Sequence, residues 1–173
     1  MDSKLFSRRL KLSPVEFVRV SDISGSHSFF AELTERLGFE VVVSSPPKLG
    51  AESVLDFLEI SPLIVHRQSG KIQVIGNLTG FFCALDSLPS DALVPVRELH
   101  ARSGAKLIRA VFNEIVTASM IHGSASSNPE CVRQVWNYLV SQYPGAFAGD
   151  IKAAAPGKSE FARLLRIDRR KLK

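Results

Sequence analysis

The stretch Leu63–Leu99, LIVHRQSGKIQVIGNLTGFFCALDSLPSDALVPVREL, constrains the fold more than any other part of the chain. Two runs rich in β-branched residues, Leu63–Arg67 and Lys71–Ile75, flank Gln68-Ser69-Gly70, which is the pattern of a β-hairpin. The second run leads through Gly76-Asn77-Leu78-Thr79-Gly80 into Phe81, Phe82, Leu85 and Leu88 at helical spacing. After the turn Pro89-Ser90-Asp91 comes another short strand, Leu93–Arg97. A strand that enters a helix through a glycine-bracketed turn leaves backbone N–H groups unpaired at the positive end of the helix dipole. Such a spot suits a phosphate. A plain tight connection uses the same glycines.

The flanking sequence predicts further elements. Val15–Val20 reads as a strand. Ser26 or Ser28 can cap a helix with Phe29, Phe30, Leu33 and Leu37 on its apolar face, ended by Gly38. Phe39–Val43 reads as a strand, and Ala51–Glu59 as a short helix with Val54, Leu55 and Leu58 inward. From Ser103 to Met120, Leu107, Ile108, Val111, Phe112, Ile115 and Val116 recur every three to four residues, as in a long amphipathic helix. Asn128 caps a further helix that starts at Pro129, with Val132, Val135, Trp136, Leu139 and Tyr143 as its inner stripe.

Charge is concentrated at the C-terminal end. Residues 158–173 hold seven basic and two acidic side chains, a net +5 that equals the formal charge of the whole chain. Lys4, Arg8, Arg9 and Lys11 form a smaller basic cluster. Concentrated basic ends favour nucleic acid or another polyanion, and they also serve as plain solubilising termini. At 173 residues, with 45% hydrophobic and 23% charged, the chain is expected to be globular, as one domain or one domain with a small appendix. No run of about 18 apolar residues occurs and the first residues carry no apolar leader, so a cytoplasmic location is expected. Cys83 and Cys131 both lie in apolar helical patterns and read as buried free thiols. His27, His66, His100 and His122 have no acidic or cysteine partners at metal-ligand spacing.

The order hairpin, glycine turn, helix, Val-Pro-Val strand resembles the ParB/sulfiredoxin superfamily. The matching pieces are Pro62-Leu63-Ile64-Val65, Gly76-Asn77-Leu78-Thr79, Ala84, Val94-Pro95-Val96-Arg97-Glu98-Leu99 and Phe112-Asn113-Glu114. The resemblance implies an α+β fold, with a small mixed sheet and packed helices over residues 1–100. An all-helical region over 101–173 follows. It has a linker near 146–157 and a partial helix-turn-helix at 158–173, in which Ala162, Ile167 and Asp168 stand at motif positions. Two departures stand out. ParB proteins follow the glycine with phosphate-gripping arginines and sulfiredoxins place a catalytic cysteine there, whereas this chain has Asn77, Leu78 and Thr79. Sulfinic acid reduction is therefore not expected.

By resemblance, nucleotide phosphates would sit on Gly76, Asn77, Thr79 and Gly80, with Arg67 and Asn113 as further contacts and Glu114 serving Mg²⁺ or orienting a water. Arg67 offers a planar fork of donors and His66 an acid or base near neutral pH. The two leave one strand on opposite faces, so at most one of them points at the turn. Arg166, Arg169, Arg170 and Lys171 are the candidate DNA contacts. Some divergent members of the superfamily are plasmid fertility-inhibition proteins of the oncogenic-suppression type. That likeness implies ATP hydrolysis and cleavage of single-stranded or duplex DNA, acting against a conjugative type IV secretion system. Two other readings stay open. One is a non-enzymatic DNA-binding partition or regulatory protein, and the other is an inhibitor that occludes the secretion coupling ATPase with its own pocket inactive.

Overall fold

A computed structural model describes residues 10–37, 49–101, 104–117, 129–147, 157–164 and 170. The chain is α+β. Five strands, β1 (Glu16–Arg19), β2 (Ile23–Ser26), β3 (Leu63–Gln68), β4 (Lys71–Gly76) and β5 (Leu93–Glu98), form one mixed sheet in the order β1-β5-β3-β4-β2. The β1/β5 and β3/β4 pairs are antiparallel, and β3/β5 and β2/β4 are parallel. The helices are α1 (Ser28–Leu37), α2 (Ala51–Ile60), α3 (Leu78–Ser87), α4 (Gly104–Phe112), α5 (Pro129–Gln142) and α6 (Lys158–Leu164).

The central hairpin closes at Ser69 and Gly70, with φ of 51° and 77°. Two successive positive φ values define the turn whose twist matches the flanking strands, and glycine takes one of them without a Cβ penalty. Val65, Val74, Val94 and Val96 are fully buried on the sheet. Between Ile64 and Val65 the register slips, so that Ile64 lies opposite Gly76 while Val65 lies opposite Val74. Ile75 is the extra residue. This bulge ends the ladder at Gly76 and turns the chain toward α3.

Strand β2 departs from the sequence-based expectation. Ile23-Ser24-Gly25-Ser26 has weak strand propensity, and Gly25 sits at φ +116°. It is strand because β4 supplies a parallel partner. The predicted strand Val15–Val20 is shorter, Glu16–Arg19, and a 3-10 turn at Val20–Asp22 separates it from β2. The expected strand Phe39–Val43 lies outside the described residues. The predicted long helix is α-helical only to Phe112 and continues as a π-helical turn, Asn113–Thr117.

One hydrophobic cluster joins the sheet to the C-terminal helices. Trp136 meets Phe112 and Phe161 edge-on, at 5.4 and 5.9 Å between centroids, and Phe147 closes on Phe112 at 5.0 Å. Of the predicted inner stripe, Val132, Val135, Trp136 and Leu139 are buried there and Tyr143 is half-buried, and Phe161 and Ala162 of α6 are buried too. Among the described residues no helix is long and apolar enough to cross a membrane.

Candidate functional site

The turn between β4 and α3 is the chemically organised part of the molecule. Asn77 is in the left-handed region, φ 57° and ψ 49°, a conformation its short polar side chain tolerates better than most. Its Oδ1 accepts the Gly80 amide at 3.0 Å and so caps α3. Its Nδ2 donates to the Ser61 carbonyl at 2.5 Å, tying the turn to the end of α2. Gly80 is glycine because the capping side chain lies on it. A Cβ there would come within 2.7 Å of Asn77 Oδ1.

The amides ahead of that cap point at a carboxylate from the same chain. Glu114 Oε2 accepts the Asn77 N–H at 2.9 Å and Oε1 accepts the Leu78 N–H at 2.8 Å. The seat that the sequence suggests for phosphate is thus an anion seat, and Glu114 sits in it. Two amide donors and the dipole of α3 meet the two oxygens of one carboxylate, the geometry in which charge-assisted hydrogen bonds are strongest. At Gly76 the close neighbour is Ile64 of β3. A Cβ there would meet Ile64 Cβ and Cγ1 at 3.1 Å and Glu114 Oε2 at 3.5 Å.

The structure therefore brings Gly76, Asn77, Gly80 and Glu114 together. Thr79 is exposed at the edge of the turn, and Asn113 is exposed on the π-helical turn beside Glu114. Phe81 is buried in the core.

Arg67 and His66 lie elsewhere. Arg67 is in register with Ile72, four residues before Gly76 on β4, or about 13 Å along the strand. Its guanidinium pairs with Glu16 at 2.6 Å and Glu98 at 3.2 Å, and these carboxylates raise its pKa further. His66 is in register with Gln73, is buried, and packs against His27. Among the described residues no group of three or more His, Cys, Asp or Glu side chains is placed to hold a metal ion. Of the candidate DNA contacts, Arg170 is exposed, and Arg166, Arg169 and Lys171 lie outside the described residues. Cys83 is a buried free thiol whose pKa is pushed up by burial and by Asp86.

Sequence reasoning did not find three parts of this arrangement. Ser61 as the partner of Asn77, Glu114 as a ligand of the amides rather than of a metal, and the His27–His66 contact all depend on tertiary pairing. A carboxylate set among Phe112, Ile115 and Val116 on an apolar helix was the one available signal that Glu114 has an internal partner.

No protein-family model matches this chain, and no curated protein matches it. Among solved structures it is similar to the C-terminally truncated chromosome-partitioning protein ParB from Caulobacter crescentus, in complex with CTP-γ-S. The identity is 9% and the TM-score 0.34, over 92% of this chain and 75% of that one. The likeness is distant and extends over most of the chain.

Proposed function

We propose that this protein works by binding DNA without turning over a nucleotide, as a partition-type or transfer-control module whose phosphate seat is filled by its own Glu114. The observation that carries the proposal is the pair of hydrogen bonds from the Asn77 and Leu78 amides to one carboxylate. A nucleotide phosphate must break both bonds and then share the site with the displaced negative charge. Each charge-assisted bond is worth roughly 1.5–3 kcal/mol. An intramolecular competitor also acts at a millimolar or higher effective concentration. No arginine follows Gly76 to repay that cost. The basic segment 158–173, with the net charge of the entire chain, supplies the attraction to a polyanion.

Anisotropy of a labelled duplex across a salt series tests this reading. Deleting the segment would pull Phe161 out of the core, so the variant to use neutralises Arg166, Arg169, Arg170 and Lys171 to Gln. The expected result is steeply salt-dependent binding whose log–log slope falls by about 2 to 4 in the variant. An unchanged slope would assign the DNA contact to another face.

A second reading keeps the same seat as the phosphate site of an ATP-hydrolysing, DNA-cleaving fertility-inhibition protein. One observation favours it: Glu114 stands on a π-helical turn, a backbone irregularity often found at functional sites. In that reading Glu114 yields the amides to the nucleotide and turns to Mg²⁺ or to a water.

A further inference from the structure

Two histidines far apart in sequence meet inside the fold. His27 lies between β2 and α1, and His66 lies on β3. Their ring centroids are 5.6 Å apart at an interplanar angle of 56°. They are 4% and 8% exposed. His27 Nε2 and His66 Nδ1 are both buried and, among the described residues, without a hydrogen-bond partner. His27 Nδ1 accepts the Phe29 amide at 3.3 Å, so the neutral ring carries its proton on Nε2.

The surroundings offer little to a cation. From α1, the Phe29 ring lies tilted against His27 at 4.9 Å between centroids, and Tyr143 is 6.4 Å from Phe29. From β4, the residue opposite His66 is the uncharged Gln73, and the Val74 carbonyl accepts the His27 N–H. Arg67, next on β3, is paired with Glu16 and Glu98. Farther along α1, Glu32 is engaged by Tyr138 and Arg36. Among the described residues no carboxylate pairs with either imidazole, and no third ligating side chain joins them. The pair is therefore two buried imidazoles that face each other without a counter-charge.

We propose that His27 and His66 form an acid-sensitive latch that fastens the β2–α1 corner to the central hairpin. With both rings neutral, the corner packs against β3 and β4. A proton on His27 leaves an unpaired cation in an apolar site beside a second imidazole, and the corner opens. Burial and the neighbouring His66 push the His27 pKa below its ordinary value, as this geometry requires. The sign follows from linkage. The unfolded chain takes up the His27 proton first, so the stabilisation is complete above about pH 6.5 and is lost as pH falls from there toward the lowered folded-state value.

Amide hydrogen exchange on the full chain at pH 7.5 and 5.5, corrected for intrinsic rates, reads the latch directly. The expected result is at least a tenfold loss of protection over Ser28–Leu37 at the lower pH, with β5 unaffected. His27→Phe, which keeps an aromatic ring in place and removes the titrating group, is expected to make that protection independent of pH, whereas His66→Gln, which leaves His27 buried, is expected to keep a pH dependence. Should neither variant fold, imidazole NMR on the wild type still decides. Proton uptake by His27 must coincide with the change in the α1 amides. Equal α1 protection at both pH values, or protonation of His27 with no change in α1, would overturn the latch.

Discussion

The carboxylate of Glu114 and the backbone amide of Asn77 lie 2.9 Å apart, although 37 residues separate them in the chain. That contact and its twin to Leu78 fasten the π-helical turn after α4 to the start of α3. The end of the central hairpin, the cap of one helix and the distorted end of another therefore form one polar unit. Its glycines and its asparagine are each fixed by a specific neighbour.

Asn77 carries three tasks in this unit: a left-handed backbone, the cap of α3 and the tether to Ser61. Asn77→Ala loses the cap, worth about 1 kcal/mol, and adds a left-handed penalty of about 1 kcal/mol, on top of the lost tether. Asn77→Gly keeps the backbone conformation. Urea unfolding is expected to place the glycine variant about 1 kcal/mol above the alanine variant, and both below wild type.

Gly76→Ala tests the close approach from the other side. The new Cβ would sit 3.1 Å from two atoms of Ile64, a β-branched side chain with little room to turn, and in ordinary contact with Glu114 at 3.5 Å. A loss of about 1–3 kcal/mol is expected in the same urea assay. Gly145→Ala, where a Cβ meets nothing within 4 Å and no helix cap is changed, serves as the control that loses no stability.

Arg67 gives the opposite expectation. Its ion pairs with Glu16 and Glu98 are at least a quarter exposed on every side chain. Arg67→Ala is expected to cost less than about 1 kcal/mol and to leave phosphate and DNA binding unchanged. A large loss of anion binding in this variant would return Arg67 to the site.

Tyr138 supplies an alkaline signature. Its hydroxyl donates to Glu32 at 2.7 Å, and that carboxylate pushes its pKa up to about 12. The unfolded chain ionises its tyrosines near pH 10, so the contribution is present below pH 10 and is lost as pH rises from about 10 to about 12. Absorbance titration of the chain's two tyrosines is expected to show one late transition. Tyr138→Phe should remove it.

Much of this was readable from the residues. The hairpin, α3 and β5 follow from β-branched runs, a Ser-Gly turn and helical spacing, all of which are local signals. Strand β2 was not readable, because Ser24 and Gly25 have no strand preference of their own and only the β4 partner makes them strand. The Gly76–Gly80 turn was legible as an anion seat from its glycines and the helix that follows. Its occupant was not, because a one-dimensional pattern does not show which distant carboxylate reaches two amides. The burial of His66, read from the sequence as an acid or base, was hidden for the same reason, since its partner His27 lies on another element.

The central claim is that Glu114 holds the anion seat against a nucleotide. Calorimetric titration of ATP and CTP with Mg²⁺ into wild type and Glu114→Ala, followed by a phosphate-release assay, tests it most directly. The expected result is no measurable binding or turnover in wild type and a gain of nucleotide affinity of roughly tenfold or more once the carboxylate is removed. Tight binding and hydrolysis by wild type, abolished in Glu114→Ala, would contradict it and make Glu114 part of an active nucleotide site.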